Sequence, residues 1–256
     1  MNPGPDVRRR LHLEMLVVLG ISLGQSVVYA LLSLINKLTQ EVALNRQTTS
    51  INASKTPDRP WLDLAYQVAN LVFPLVPVAL VLYLLWVYQR PHGGPLRSMG
   101  FDLRRPGFDL GVGSAVFVGI GAGGLVLYYA FRELGYNTSV SPANLAAAWW
   151  TVPMLLLLAV KNAVLEEVVM VGYLFTRWRQ SGGGILAVLA GSALIRGAYH
   201  LYQGFGGFVG NVVMGLLFGW LYLRTRRVMP LVVVHSLLDI FAFVGYALLK
   251  PHIPWL

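Results

Sequence analysis

No cysteine occurs among the 256 residues, so a disulfide framework and any thiolate metal site are excluded. Charge is scarce too. Asp, Glu, Lys and Arg make up 12% of the chain, against roughly 25% in a soluble domain. A surface that faces water on all sides is therefore ruled out. Acidic residues are the scarcer sign, 11 against 20 Lys and Arg, which leaves a net charge of +9. The basic residues are scattered between apolar runs rather than gathered in one patch. That argues against a nucleic-acid partner and for contact with anionic lipid heads. Also missing are an HExxH motif, an internal repeat, and a small-residue cleavage site behind the first apolar run. The first run is accordingly read as a retained helix and not a signal peptide.

Apolar residues fill the space left by charge, at 56% of the chain with a mean hydropathy of +0.61. About 20 such residues cross a hydrocarbon core. Seven runs qualify, at 11–38, 64–89, 108–131, 146–178, 185–203, 207–223 and 229–249. The expected fold is all-α, a polytopic transmembrane bundle of about seven helices, or eight if the long fourth run divides. The lipid bilayer is its first partner and the cell membrane its location. The polar stretch Gln40–Asp63 is too short for a core of its own. The segment from Arg90 to Gly107 pairs arginines with Leu96, Met99, Phe101 and Leu103, which suggests a surface-lying strip. With the N-terminus cytoplasmic, twelve Lys and Arg, Arg177 and Arg227 among them, fall on the inner side and six on the outer. That bias favours a cytoplasmic N-terminus. Gly119/Gly123, Gly206/Gly210 and Gly215/Gly219 are spaced as GxxxG, for close helix packing. GIGAGG at Gly119–Gly124 fits a dinucleotide pattern in letters but sits mid-helix, so packing is expected there as well.

Ionisable residues are costly inside a membrane, about 2.5–3.5 kcal/mol each on insertion scales, and mark function by default. The first three runs hold few, with Glu14 near one end. The fourth carries Lys161, Glu166 and Glu167, the fifth Arg196 and His200, the seventh His235 and Asp239. Arg196 and His200 are one turn apart and share a helix face, as do His235 and Asp239. Glu166 and Glu167 are adjacent, about 100° apart on an ideal helix, and need distortion to face one centre together. A carboxylate among histidines in a dry pocket suits a general base. Two imidazoles and a carboxylate also suit a hydrolytic zinc site. Either arrangement activates a water for attack on a carbonyl.

At these residues the chain resembles the CPBP family of intramembrane proteases. That family takes in the type II CAAX prenyl endopeptidases and the bacterial Abi-type bacteriocin-immunity proteins. The paired glutamates with a downstream arginine read LEEVVMVGYLFTR, Leu165–Arg177. The histidine motif reads LIRGAYHLYQG, Leu194–Gly204, and the last motif HSLLD, His235–Asp239. The resemblance implies leading helices over 1–144, catalytic helices over 145–249 and a short tail at 250–256. It implies Glu166 as the base that activates water, with Glu167 as a supporting carboxylate. His200 and His235 would position the water or, with Glu166, bind a divalent metal such as zinc. Asp239 would complete the pocket or steady the oxyanion. No cofactor is fixed by the sequence.

The expected activity is cleavage of a peptide bond in or near the bilayer, on a membrane-associated peptide or protein. Two departures stand out. The family arginine five residues after the first glutamate is Val171, and the aromatic four residues before His200 is Arg196. We expect these to be linked, with the supporting cation moved onto the fifth helix. The alternatives are a catalytically degenerate scaffold or immunity protein, or a proton-coupled transporter. The crowding of charge into one half of the chain argues against the transporter.

Overall fold

The computed structural model describes residues 4–88 and 94–249. Arg90, and the tail 250–256 with Lys250, lie outside the described residues. The apolar runs form the helices. The first run makes two, α1 (Pro5–Gly20) and α2 (Leu23–Leu38), bent by 50°. The continuous first helix expected over 11–38 is corrected here. Ser22 leaves helical geometry at φ −130° and ψ −119°, and its hydroxyl donates to the Val18 carbonyl at 2.6 Å. A flanking glycine on each side, Gly20 and Gly24, lowers the cost of the break. The second run holds α3 (Pro60–Val72) and α4 (Val76–Tyr88), joined by a 3-10 turn at Phe73–Leu75. Pro74 and Pro77 withhold the N–H groups an unbroken α-ladder would need.

A short α5 (Gly94–Ser98) precedes α6 (Pro106–Glu133). The fourth run is one rod from 151 to 180. It comprises α7 (Thr151–Glu166), a π-helical segment (Glu167–Tyr173) and α8 (Leu174–Gln180). Then follow α9 (Ile185–Ala198), α10 (Phe205–Thr225) and α11 (Met229–Leu249). Two three-residue strands, β1 (Thr48–Ser50) and β2 (Ser139–Ser141), pair in parallel.

The chain is an all-α, multi-pass membrane bundle. Among the described residues four rods are long and apolar enough to cross a bilayer, or five if the bent α1–α2 pair is one span. The 151–180 rod is long enough but carries Lys161, Glu166, Glu167, Arg177 and Arg179. At 14 residues, α9 reaches about 21 Å at 1.5 Å per residue, short of the ~30 Å hydrocarbon core. Only 6% of the most apolar window of α6 is buried, and an apolar rod so bare belongs against lipid.

Packing centres on α10 against α9, and on α11 against α6 and α7. Gly215 and Gly219 make the first seam. A Cβ on Gly215 would come within 2.8 Å of Ala193 Cα, and one on Gly219 within 2.5 Å of Leu189 Cδ1. The GIGAGG stretch does otherwise. Cβ atoms on Gly119, Gly123 or Gly124 would meet nothing within 4 Å, so the packing expected there is not made within this chain.

The two ends of the bundle are tied differently. At one end, Met99 is buried and its carbonyl accepts the Val228 N–H at 2.9 Å. The strip expected to lie on the surface is thus stitched to the α10–α11 turn, although Leu103 remains 77% exposed. Arg177 and Arg227, both counted as loop cations, are buried in ion pairs with Glu14 and with Asp102 and Asp109. They serve the fold rather than report orientation. At the other end the small sheet joins the 39–59 and 134–150 loops, and the Thr138 N–H donates to the Gln203 carbonyl at 3.0 Å, just past His200.

Candidate active site

The site is assembled where the fourth rod changes pitch. Glu166 ends α7 and Glu167 begins the π segment. A π turn is wider than an α turn and is rare outside functional sites. It supplies the distortion that adjacent glutamates need to face one centre. The adjacent helix answers it: Ser192 Oγ on α9 donates to the Met170 carbonyl inside the π segment at 3.1 Å.

Glu167 is fully buried. Its Oε1 accepts Arg196 Nη2 at 2.6 Å and His235 Nδ1 at 2.7 Å. Glu166 Oε2 accepts the Tyr199 hydroxyl at 2.6 Å and lies 3.6 Å from Arg196 Nη1. Arg196 therefore stands between both carboxylates, with its guanidinium 5.2 Å from the centre of the Phe218 ring. The opposite face of Glu166 is less occupied. Its side chain keeps 12% accessibility, and among the described residues no hydrogen bond reaches Oε1.

His235 and Asp239 lie one turn apart on α11, with Nε2 to Oδ1 at 3.9 Å, too long for a hydrogen bond. Asp239 Oδ2 accepts instead from Asn162 Nδ2 at 3.1 Å. His200 sits in the turn just beyond α9, and its Nδ1 donates to the Arg196 carbonyl at 3.0 Å. Its ring is half-buried within electrostatic reach of Glu166 and His235, tilted against Tyr199 and stacked toward Tyr202. The short α9 is what brings His200 to this level. Lys161 is within electrostatic reach of Glu166 and Asp239.

Two buried polar atoms in this cluster, Glu167 Oε2 and Arg196 Nη1, have no hydrogen-bond partner. A native interior rarely leaves such atoms open without a use.

Glu166, Glu167 and His235 each bring a ligand atom within 4.8 Å of the others. This differs from the metal set expected from sequence, since Glu167 takes the place of His200. The donor types suit a metal ion. The charge does not, because the Arg196 guanidinium, 2.6 Å from Glu167 Oε1 and 3.6 Å from Glu166 Oε2, already sets a cation between the two carboxylates that a dication would share. The residues therefore do not fit a metal well.

Sequence reading passed over Tyr199 and Asn162. Each carried a signal: Asn162 lies one helical turn before Glu166, and Tyr199 directly precedes His200. The letters GISLG at Gly20–Gly24 fit the GxSxG serine-hydrolase pattern. Ser22 there lies in the α1–α2 bend and bonds Val18, not on the strand-to-helix elbow that such a nucleophile needs.

No curated protein and no solved structure matches the chain. A family model does match, over residues 148–241, which hold Glu166, Glu167, Arg196, His200, His235 and Asp239. It is described as Rce1-like, the type II CAAX prenyl endopeptidases, and over that segment the chain is similar to this family of CAAX-type intramembrane endopeptidases.

Proposed function

We propose that the protein hydrolyses a peptide bond of a membrane-associated substrate with a water activated by Glu166, without a metal. The observation that carries this reading is the asymmetry of Glu166. Tyr199 and Arg196 both lie against Oε2, which leaves Oε1 as the edge for a water. Glu166 takes the proton from that water as the oxygen attacks the carbonyl carbon, and returns it to the leaving amine. Arg196 and His235 hold Glu167 from two sides, so the supporting carboxylate stays fixed. Arg196 stands in for the cation absent at Val171. His200 and the Asn162 amide, aimed by Asp239, flank the position where the carbonyl oxygen gains charge.

Glu166→Gln keeps the shape and removes the base. Cleavage should fall by about 10²–10⁴-fold with the melting temperature retained. Products can be mapped by mass spectrometry of membrane-fraction peptides incubated with the purified protein. A zinc chelator should leave the rate unchanged. Undiminished cleavage by Glu166→Gln would refute the role of the base, and loss of activity to the chelator, restored by zinc, would refute the metal-free reading. A scaffold would keep its phenotype in the Gln variant, and a transporter would lose coupled flux instead of cleavage.

A further inference from the structure

We infer that the outer edge of β1 is a docking edge for the substrate, which adds as an extended strand beside Thr48–Ser50. The inference rests on the proposed hydrolysis and names how that site receives its chain.

The sheet has two strands and hence two free edges among the described residues. They are not equivalent. On β2 the outward Val140 N–H is already spent, donating to Tyr128 Oη at 3.0 Å. On β1 the groups facing β2 belong to the odd-numbered positions. The Gln47 carbonyl accepts from Ser139, and the Ile51 N–H donates to Ser141, each at 2.9 Å. Alternation along a strand then turns the N–H and C=O of Thr48 and Ser50 outward. Among the described residues no backbone partner takes them up, and both residues are exposed while Thr49 between them is buried. An edge left open in this way accepts a further strand, the mode by which many proteins bind extended peptides.

The edge faces a place where a peptide is wanted. Thr48, Thr49 and Ser50 line a cavity of about 520 Å³ together with Ser33, Tyr199 and Tyr202. Tyr199 is the wall shared with the carboxylates, since its hydroxyl bonds Glu166. The strand is held firmly to that wall. Lys37 bridges Thr49 Oγ1 and the Tyr202 carbonyl, and Thr49 Oγ1 lies 2.7 Å from Thr138 Oγ1. Proteolysis needs an extended chain whose scissile carbonyl is exposed, and a strand partner imposes that extension. Apart from Lys37, already bonded to Thr49 and the Tyr202 carbonyl, the side chains lining this cavity are uncharged, which leaves the strand's main chain as the recognition element.

The test uses the purified full chain and the peptide it cleaves fastest from a membrane-fraction peptide library, resynthesised with a single N-methyl group at each amide in turn. Strand addition predicts a period of two. N-methylation at alternate positions on one side of the cut should lower kcat/KM about tenfold, the worth of roughly one main-chain hydrogen bond, and the positions between should be silent. In the protein, Ser50→Pro removes an outward N–H and should raise KM about tenfold with kcat kept. A scan without alternation, or a folded Ser50→Pro with unchanged KM, overturns the docking edge and leaves the hydrolysis standing. Absence of any cleaved peptide overturns both.

Discussion

Two buried arginines hold carboxylates in this molecule, and they do so in opposite ways. Arg227, in the turn before α11, grips Asp109 with two parallel bonds of 2.7 Å and reaches the carbonyl and carboxylate of Asp102 at 2.9 Å. That geometry is bidentate and complete. Arg196 also faces two carboxylates, yet its Nη1 and the Glu167 Oε2 have no hydrogen-bond partner. One centre spends its capacity on closing the fold, and the other holds capacity in reserve. Along α11 the histidine of the open centre is eight residues from Arg227, about 12 Å, so the contrast arises within one region of chain. Charge in a membrane interior is therefore ambiguous by itself. Completeness of pairing separates a clamp from a reaction centre.

The contrast can be attacked at four points. The largest effect should come from Arg196→Ala. Cleavage should fall as far as in Glu166→Gln, because Glu167 loses its cation and the pair loses its fixed geometry; an active Arg196→Ala would end the comparison. Next is Arg227→Ala, which leaves two carboxylates without their cation and should cost about 3–5 kcal/mol of stability. Denaturation in mild detergent would read that loss, and the folded fraction should still cleave at the wild-type rate per molecule. Arg227→Met combined with Asp102→Asn and Asp109→Leu should recover most of that stability, whereas recovery by Arg196→Met with Glu167→Leu should leave the enzyme dead.

A smaller effect is expected from Tyr199→Phe. Removing the hydroxyl that orients Glu166 should lower kcat about tenfold, the value of one hydrogen bond to a charged group, with melting nearly unchanged. The smallest concerns pH at the clamp. Burial would push the Asp102 carboxyl up, but the bond from Arg227, the Arg104 N–H and the nearby arginine charges outweigh it and hold the group below the usual carboxylate range. A depressed folded value means that the contribution is complete above the unfolded carboxylate value of about 3.9 and is lost as pH falls through the folded one. Melting curves between neutral and acid pH should show wild type and Asp102→Asn converging at low pH. A constant gap between them would remove Asp102 from the clamp.

Much of the bundle was legible because lipid imposes a simple demand on length and polarity. Each of the seven runs is helical, though the first divides at Ser22, and the seven ionisable residues singled out in the late ones all lie in the match to the family. What stayed hidden was local geometry. Nothing in VVMV announces a π turn, since residues 168–171 are apolar and buried like their neighbours along the rod. The break at Ser22 was masked by continuous hydropathy, and only the flanking glycines hinted at it. Tyr199 and Asn162 are uncharged, so a search for costly charges passed over them. GIGAGG misled in the other direction, because small residues permit close packing without requiring a partner to be there.

The wide turn at Glu167–Tyr173 has one more consequence. Tyr173 and Arg177 lie at and just beyond its end, and both bond Glu14 Oε1 on the first helix, at 2.9 and 2.7 Å. The carboxylate pair and this distant anchor are thus set in phase by a count of residues, not by their chemistry. Removing one residue between them would turn everything downstream by about 100°, so natural drift in this stretch must proceed by exchange of letters and not by gain or loss of them.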